Sequence, residues 1–195
     1  MKILALNPQT DMLLGELNNR GNKIFTEDKH IKEIDGENSF QFITPIGIKE
    51  AKFFDQRSRI LIPSETGSFE EFIVFHTNES MDDKKQVVST AAYTEMDKEY
   101  VISPGTYVGT LAELANEALE FTTYDLGIYE SIQRKTIVVT EHVGVYTYLS
   151  RVAKEFELEM PIRTETSGTR FTGRFVDFVK RIGPDLKRKL SMVGI

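Results

Sequence analysis

The stretch EIDGENSFQF brings oxygen ligands and a glycine close together at Asp35-Gly36-Glu37-Asn38. A calcium loop of the EF-hand kind needs acidic or amide side chains at its first, third and fifth positions, a glycine at the sixth, a closing glutamate and flanking helices. Here the glycine comes second, and Ser39 to Phe42 continue in the alternation of a strand. A phosphate loop fails on similar ground, because it needs several glycines and the N-terminus of a following helix. Asp-Gly does suit a hairpin, since both residues accept the positive φ of a type I′ turn. The expectation is therefore a β-hairpin with Ile31 and Ile34 before the turn and Phe40 and Phe42 after it, all supplying apolar side chains.

The other chemically able residues are scattered. His30, His76 and His142 lie far apart, and the one neighbouring carboxylate, Glu141, faces elsewhere on a helix. TEHVG lacks the second histidine of a zinc helix. With no cysteine in the chain, thiolate metal sites, a cysteine nucleophile and disulfides are excluded. Gly67-Ser68 sits in ETGSFEE without the Gly-x-Ser-x-Gly elbow of a hydrolase, so it reads as a loop before a strand at 70–77. The acid pairs Glu70-Glu71, Asp82-Asp83 and Glu157-Glu159 read as solvated surface. In RFTGRFVDFVKRI, Phe171, Phe175 and Phe178 alternate with Arg170, Arg174, Lys180 and Arg181, a texture that can stack nucleic-acid bases. The preferred expectation is that the aromatics fill a core and its contact surface while the basic side chains extend outward. No catalytic residue, metal ligand or cofactor is expected.

The elements that must position these residues change in texture along the chain. Apolar runs rich in β-branched and aromatic residues predict strands near 2–6, 12–17, 23–34, 38–44, 58–62, 70–77, 85–93 and 99–102, joined most simply as an antiparallel meander. TLAELANEALEFT then predicts a helix with Leu111, Leu114, Ala115, Ala118 and Leu119 on one face and a Thr110/Glu113 capping box. A second helix is expected over TEHVGVYTYLSRVAKEF, capped by Thr140, with Gly144 as a weak point. KTIVVTE, LEMPIRTE and TRFTGRFVDFVKRI predict three further strands. The fold class is thus α+β.

Composition bounds the function. The 195 residues, 40% hydrophobic and 28% charged, suit a folded globular chain. The opening MKILALNPQT is too short for a signal-peptide core, and no run approaches the roughly 18 apolar residues of a membrane span, so a chain made in the cytoplasm is expected. The net charge is −6, but from Arg163 onward eight Lys and Arg face three acids, leaving −11 for the first 162 residues. The basic run KRIGPDLKRKL could touch nucleic acid, though such runs are commonly solvated surface.

Taken in order, HIKEIDGENSFQF, RILIPSETGSFEEFIVF, STAAYTEM, TLAELANEAL, TIVVTEHVGVYTYLSRVAKEFELEM and GTRFTGRFVDFVKRIG resemble the N-terminal hub region of phage and prophage tail proteins. The family is that of the tail-associated lysins, or prophage endopeptidase tail proteins, similar to baseplate hub proteins. The resemblance runs from about residue 10 to 183 and rests on segment order and texture, not on an invariant motif. It implies a non-enzymatic virion component assembled in the host bacterial cytoplasm. Its expected place is the tail tip, attached to the tail tube and distal tail protein, near the tape measure, around the DNA exit path and without specific DNA binding.

The family plan is an antiparallel β-barrel-like hub domain with an inserted small α/β subdomain. Residues 1–103 plus 168–183 would form the first, 104–167 the second, and 184–195 a C-terminal basic tail and the start of a second barrel. Wall cleavage belongs, in that family, to modules beyond the hub. Two barrels per chain let three chains close a quasi-sixfold ring. After Gly183 the sequence continues only with PDLKRKLSMVGI, so a homotrimer is expected in the intact tail and monomer or weak association for this chain alone. A wall-degrading hydrolase and a nucleic-acid-binding module remain the alternative readings.

Overall fold

The computed structural model describes residues 2–18, 25–32, 38–64, 67–80, 84–92, 100–167 and 170–180. The chain divides into two compact units, Met1–Tyr93 with Thr164–Thr172, and Thr94–Arg163 with Gly173–Ile195. Among the described residues antiparallel sheet dominates, with two α-helices, so the α+β expectation holds.

The first unit contains β1 (Lys2–Leu6), β2 (Leu13–Asn18), β3 (Thr26–Lys32), β4 (Asn38–Pro45), β5 (Arg59–Pro63), β6 (Phe69–Ser80) and β7 (Lys85–Ala92). Their ends lie within three residues of the predicted ones. Their order is not a meander: neighbours run β2-β1-β5-β6-β7-β4-β3, all antiparallel. The reason lies in β1 and β5. Ile3, Ala5, Ile60 and Ile62 point into the main core, while Leu4, Leu6 and Leu61 pack on the opposite face with Leu13, Phe69 and Phe171. Strands apolar on both faces must take interior positions, so β5 docks on β1 with Leu4 opposite Leu61.

The main core gathers Phe25, Phe40, Phe42, Phe54 and Phe72 with Leu17, Val74 and Val88. Phe42 sits at its centre, edge-on to Phe54 at 5.5 Å and to Phe25 at 6.2 Å. Leu17 of β2 and Phe25 ahead of β3 enter the same core, so the sheet curls. It is not a closed barrel: among the described residues no pairing joins β2 to β3, the two ends of the order. The turn of the predicted hairpin, with Ile34, lies outside the described residues. Its strands pair antiparallel from Lys32 opposite Asn38 to Thr26 opposite Ile43, and Phe40 and Phe42 are buried as expected.

The second unit holds β8 (Val101–Ile102), β9 (Gly105–Thr110), α1 (Leu111–Leu119), β10 (Asp125–Tyr129), β11 (Arg134–Val139), β12 (Val143–Gly144) and α2 (Val145–Glu155). Strands β13 (Ile162–Ser167) and β14 (Arg170–Phe178) contribute residues to both units. β9 and β10 were not anticipated; GTYVGT and DLGIY are short and glycine-bearing, and pairing with β11 and β14 is what makes them strands. α1 buries the five predicted residues, and its capping box forms as expected: Thr110 N donates to Glu113 Oε2 at 2.8 Å, and Glu113 N to Thr110 Oγ1 at 3.3 Å.

α2 starts later than expected. Val143 and Gly144 pair with Ile102 and Val101, so that backbone is already engaged, and Gly144 becomes the N-cap instead of Thr140. The glycine thus escapes the helix interior, where it would cost about 1 kcal/mol. At the other end Leu158 N donates to Ala153 O and Glu157 N to Lys154 O, a Schellman closure with Glu157 at φ 58°. Among the described residues no helix is long and apolar enough to cross a membrane.

Candidate functional site

The structure disperses the residues that chemistry could have used. His30 is exposed on β3, edge-on to Phe72 at 5.6 Å and to Phe40 at 6.1 Å; His76 is exposed on β6; His142 is exposed before β12. Glu141 lies outside α2, 3.7 Å from Arg151. Among the described residues no three His, Asp or Glu side chains gather as a metal ion would require. Gly67, at φ 86°, closes a turn in which its N–H donates to Ser64 O, and Ser68 leads directly into β6. Asp35 to Glu37, Asp82-Asp83 and the basic C-terminal run from Arg181 onward lie outside the described residues, while Lys180 is exposed.

Two sequence readings need correction. Glu71 is not solvated surface: it is buried, and its Oε1 lies 3.4 Å from Nε of buried Arg59. Arg59 also pairs with Asp11 at the β1–β2 turn. That turn is shaped by Asn7, whose Oδ1 accepts from the backbone N–H groups of Gln9 and Thr10. A cation removed from water needs such compensation. Nor does Arg174 extend outward. It is 2% exposed, with its guanidinium 5.9 Å from the Tyr124 ring centroid. Of the aromatics on the same strand, Phe178 is fully buried as expected.

A buried carboxylate of the second unit that sequence reasoning missed is Asp177. β10 and β14 are parallel, with Asp125 opposite Phe175 and Leu126 opposite Val176, and the next pair is Tyr129 with Phe178. Gly127 and Ile128 therefore face Asp177 alone, a β-bulge. The bulge is filled by a carboxylate: Ile128 N donates to Asp177 Oδ1 at 2.7 Å, and Arg163 Nε donates to Oδ2 at 2.7 Å. A Cβ at position 127 would overlap Oδ1, so glycine is required there. Arg163 lies over the Phe175 ring, 4.5 Å from its centroid. Only the glycine in DLGIY hints at this from sequence.

The same unit has an aromatic cleft of about 190 Å³ between β8, β9, α1 and α2. Tyr100 and Phe121 stand at its lip with ring centroids 5.0 Å apart, and Tyr107 meets Tyr148 edge-on at 5.4 Å below. Burial first, then the charge of Glu117 and the neighbouring Tyr107, hold the Tyr148 hydroxyl well above the ordinary tyrosine range. Exposed apolar side chains also mark the surface: Met12 and Phe75 in the first unit, Val108, Val138 and Ile132 in the second.

This fold, an antiparallel β unit joined in sequence to a small α/β unit, has counterparts among solved structures. It matches the prophage tail protein gp18 from Listeria monocytogenes EGD-e, with a TM-score of 0.60 and 12% identity over 92% of this chain and 50% of that one. A chain of the Francisella PdpA–VgrG complex in its half-lidded form matches with a TM-score of 0.50 and 11% identity over 97% of this chain and 32% of that one. A tail protein from Neisseria meningitidis MC58 aligns with a TM-score of 0.44 and 10% identity over 78% of this chain and 44% of that one. No protein-family model matches the sequence, and no curated protein matches it. The resemblance read from segment order is thus met in the fold, which this chain shares with a prophage tail protein. The chain spans half the length of the Listeria protein.

Proposed function

We propose that this chain is a structural component of a phage tail tip or baseplate hub. The observation that carries the reading is the fold shared with the Listeria prophage tail protein over 92% of this chain. In this reading the first unit serves as the barrel-like hub domain and the second as the small α/β subdomain. The hub attaches to the tail tube and distal tail protein and surrounds the DNA exit path, as a homotrimer in the intact tail. Its work is surface complementarity and not catalysis. Exposed apolar residues such as Met12, Phe75, Val108 and Val138 are the side chains it would offer for contact.

The test is incorporation. Antibody against this chain should decorate one end of purified tails, and a tagged copy should co-purify with the distal tail protein of the same genome. Tails that lack the chain would sink the reading. Release of peptides or sugars from cell walls by the purified chain would replace it with the hydrolase alternative.

A further inference from the structure

The C-terminal end of α1 breaks an electrostatic rule. The last carbonyls of a helix carry partial negative charge and are ordinarily complemented by Lys, Arg or His. Here the last turn has no basic residue; instead Glu117 lies in it and Glu120 caps it, three positions apart on one side of the helix. Both carboxylates are exposed, and both line the aromatic cleft. Among the described residues no Lys or Arg lines it. Departures from local rules of this kind are expected where a function compensates them.

The cleft's shape narrows the choice of occupant. Phe121 is 60% exposed and Tyr100 37%, while Tyr148 at the floor is 2% exposed, so the opening grades from lip to buried aromatic base. Its volume of about 190 Å³ is below the roughly 300–1,000 Å³ of pockets that hold drug-sized ligands, and suits one long side chain. Aromatic faces attract cations through their quadrupole, and the attraction grows as water is excluded. An aromatic-walled, acid-rimmed cavity at a negative helix end is complementary to positive charge.

We propose that the cleft formed by Tyr100, Tyr107, Phe121 and Tyr148 under Glu117 and Glu120 is a socket for a single lysine or arginine side chain presented by a partner protein. The inference stands on the cleft alone and goes beyond the tail reading; failure of virion incorporation would leave it intact, and its own failure would leave the tail reading intact.

The experiment uses the full chain and two small probes, N-acetyl-arginine amide and N-acetyl-citrulline amide, which share a shape and differ in charge. NMR follows the ring protons of Tyr100, Tyr107 and Phe121. The arginine probe should shift these resonances saturably and bind about tenfold more tightly than the citrulline probe. Added salt should erode the preference. Glu117→Gln combined with Glu120→Gln should abolish it with the fold kept, since both side chains are exposed. Phe121→Ala, as a second variant, should weaken both probes. Equal binding of the two probes would overturn the proposal in favour of an apolar slot. No shift of these rings, or a preference that survives the double substitution, would overturn it outright.

Discussion

Replacing Asp177 with alanine should unfold the second unit more readily than any surface substitution in it. Asp177 is 1% exposed, and each of its oxygens serves a different strand, Oδ1 accepting from Ile128 of β10 and Oδ2 from Arg163 of β13. Loss of the first bond leaves a peptide N–H without its acceptor inside a bulge, at a cost of about 1–3 kcal/mol. Loss of the second removes a charge-assisted bond, about 1.5–3 kcal/mol before discount. The Arg163 side chain is 17% exposed, so water takes over part of that role and the lower end applies. Together the expected loss is about 3–4 kcal/mol, a large fraction of a typical domain's stability. Asp177→Asn keeps an acceptor for Ile128 but turns an amide N–H₂ toward Arg163 Nε–H, so it loses the charge and the second bond while keeping the first, and about 2 kcal/mol is expected.

The assay is urea unfolding followed by tyrosine fluorescence, which suits this chain: it has no tryptophan, and six of its seven tyrosines fall in the second unit. Hydrogen exchange at the Ile128 amide locates the effect. Arg163→Met in the Asp177→Ala background should cost less than it does in the wild type, because the cation has already lost its carboxylate. The reasoning is refuted if Asp177→Ala lies within about 0.5 kcal/mol of wild type, the range of ordinary surface changes. It is also refuted if Ile128 keeps its protection, or if asparagine is as harmful as alanine.

Phe42→Ala, at the centre of the first core, should cost about 3–5 kcal/mol in chemical denaturation, and Phe42→Leu clearly less. Thr110→Ala should cost about 1 kcal/mol through the α1 cap. The Thr110 backbone N–H, then Arg134, hold the Glu113 carboxyl below its ordinary 4.5, so the stabilisation it gives is present above that value and lost as pH falls through the lower folded one. Glu113→Gln should flatten that acid limb in pH-dependent thermal melts. Tyr148 has the opposite sign: its raised pKa means that stability declines as pH rises above the ordinary 10.0, where the unfolded chain ionises first. Absorbance titration should show tyrosine ionisation that comes only with unfolding, and Tyr148→Phe should reduce its amplitude.

Much of the fold was legible because it depends on local pattern. Strand alternation placed β1 to β7, and Thr110 with Glu113 marked the start of α1 in chemical terms that need no tertiary partner. The start of α2 was misread because the pairing of Val143-Gly144 with β8 competes with a local helix signal and wins. The candidate cleft was not legible: Tyr100, Phe121 and Tyr148 are far apart in the chain, and an aromatic at helical spacing ordinarily signals only a core.

What the sequence by itself determined is the α+β class, the positions of most strands, the hairpin strands around Asp35-Gly36 and the core membership of Phe40 and Phe42. These follow from side-chain periodicity and turn chemistry, which act over a few residues. Tertiary structure alone decided the strand order, the open curl of the sheet, and which charges are buried. Glu71 and Asp177 look like any other acids in the sequence, and only long-range packing sets them beside Arg59 and Arg163. Burial of an ion is set by what comes from elsewhere in the chain to compensate it, and no local spacing records that.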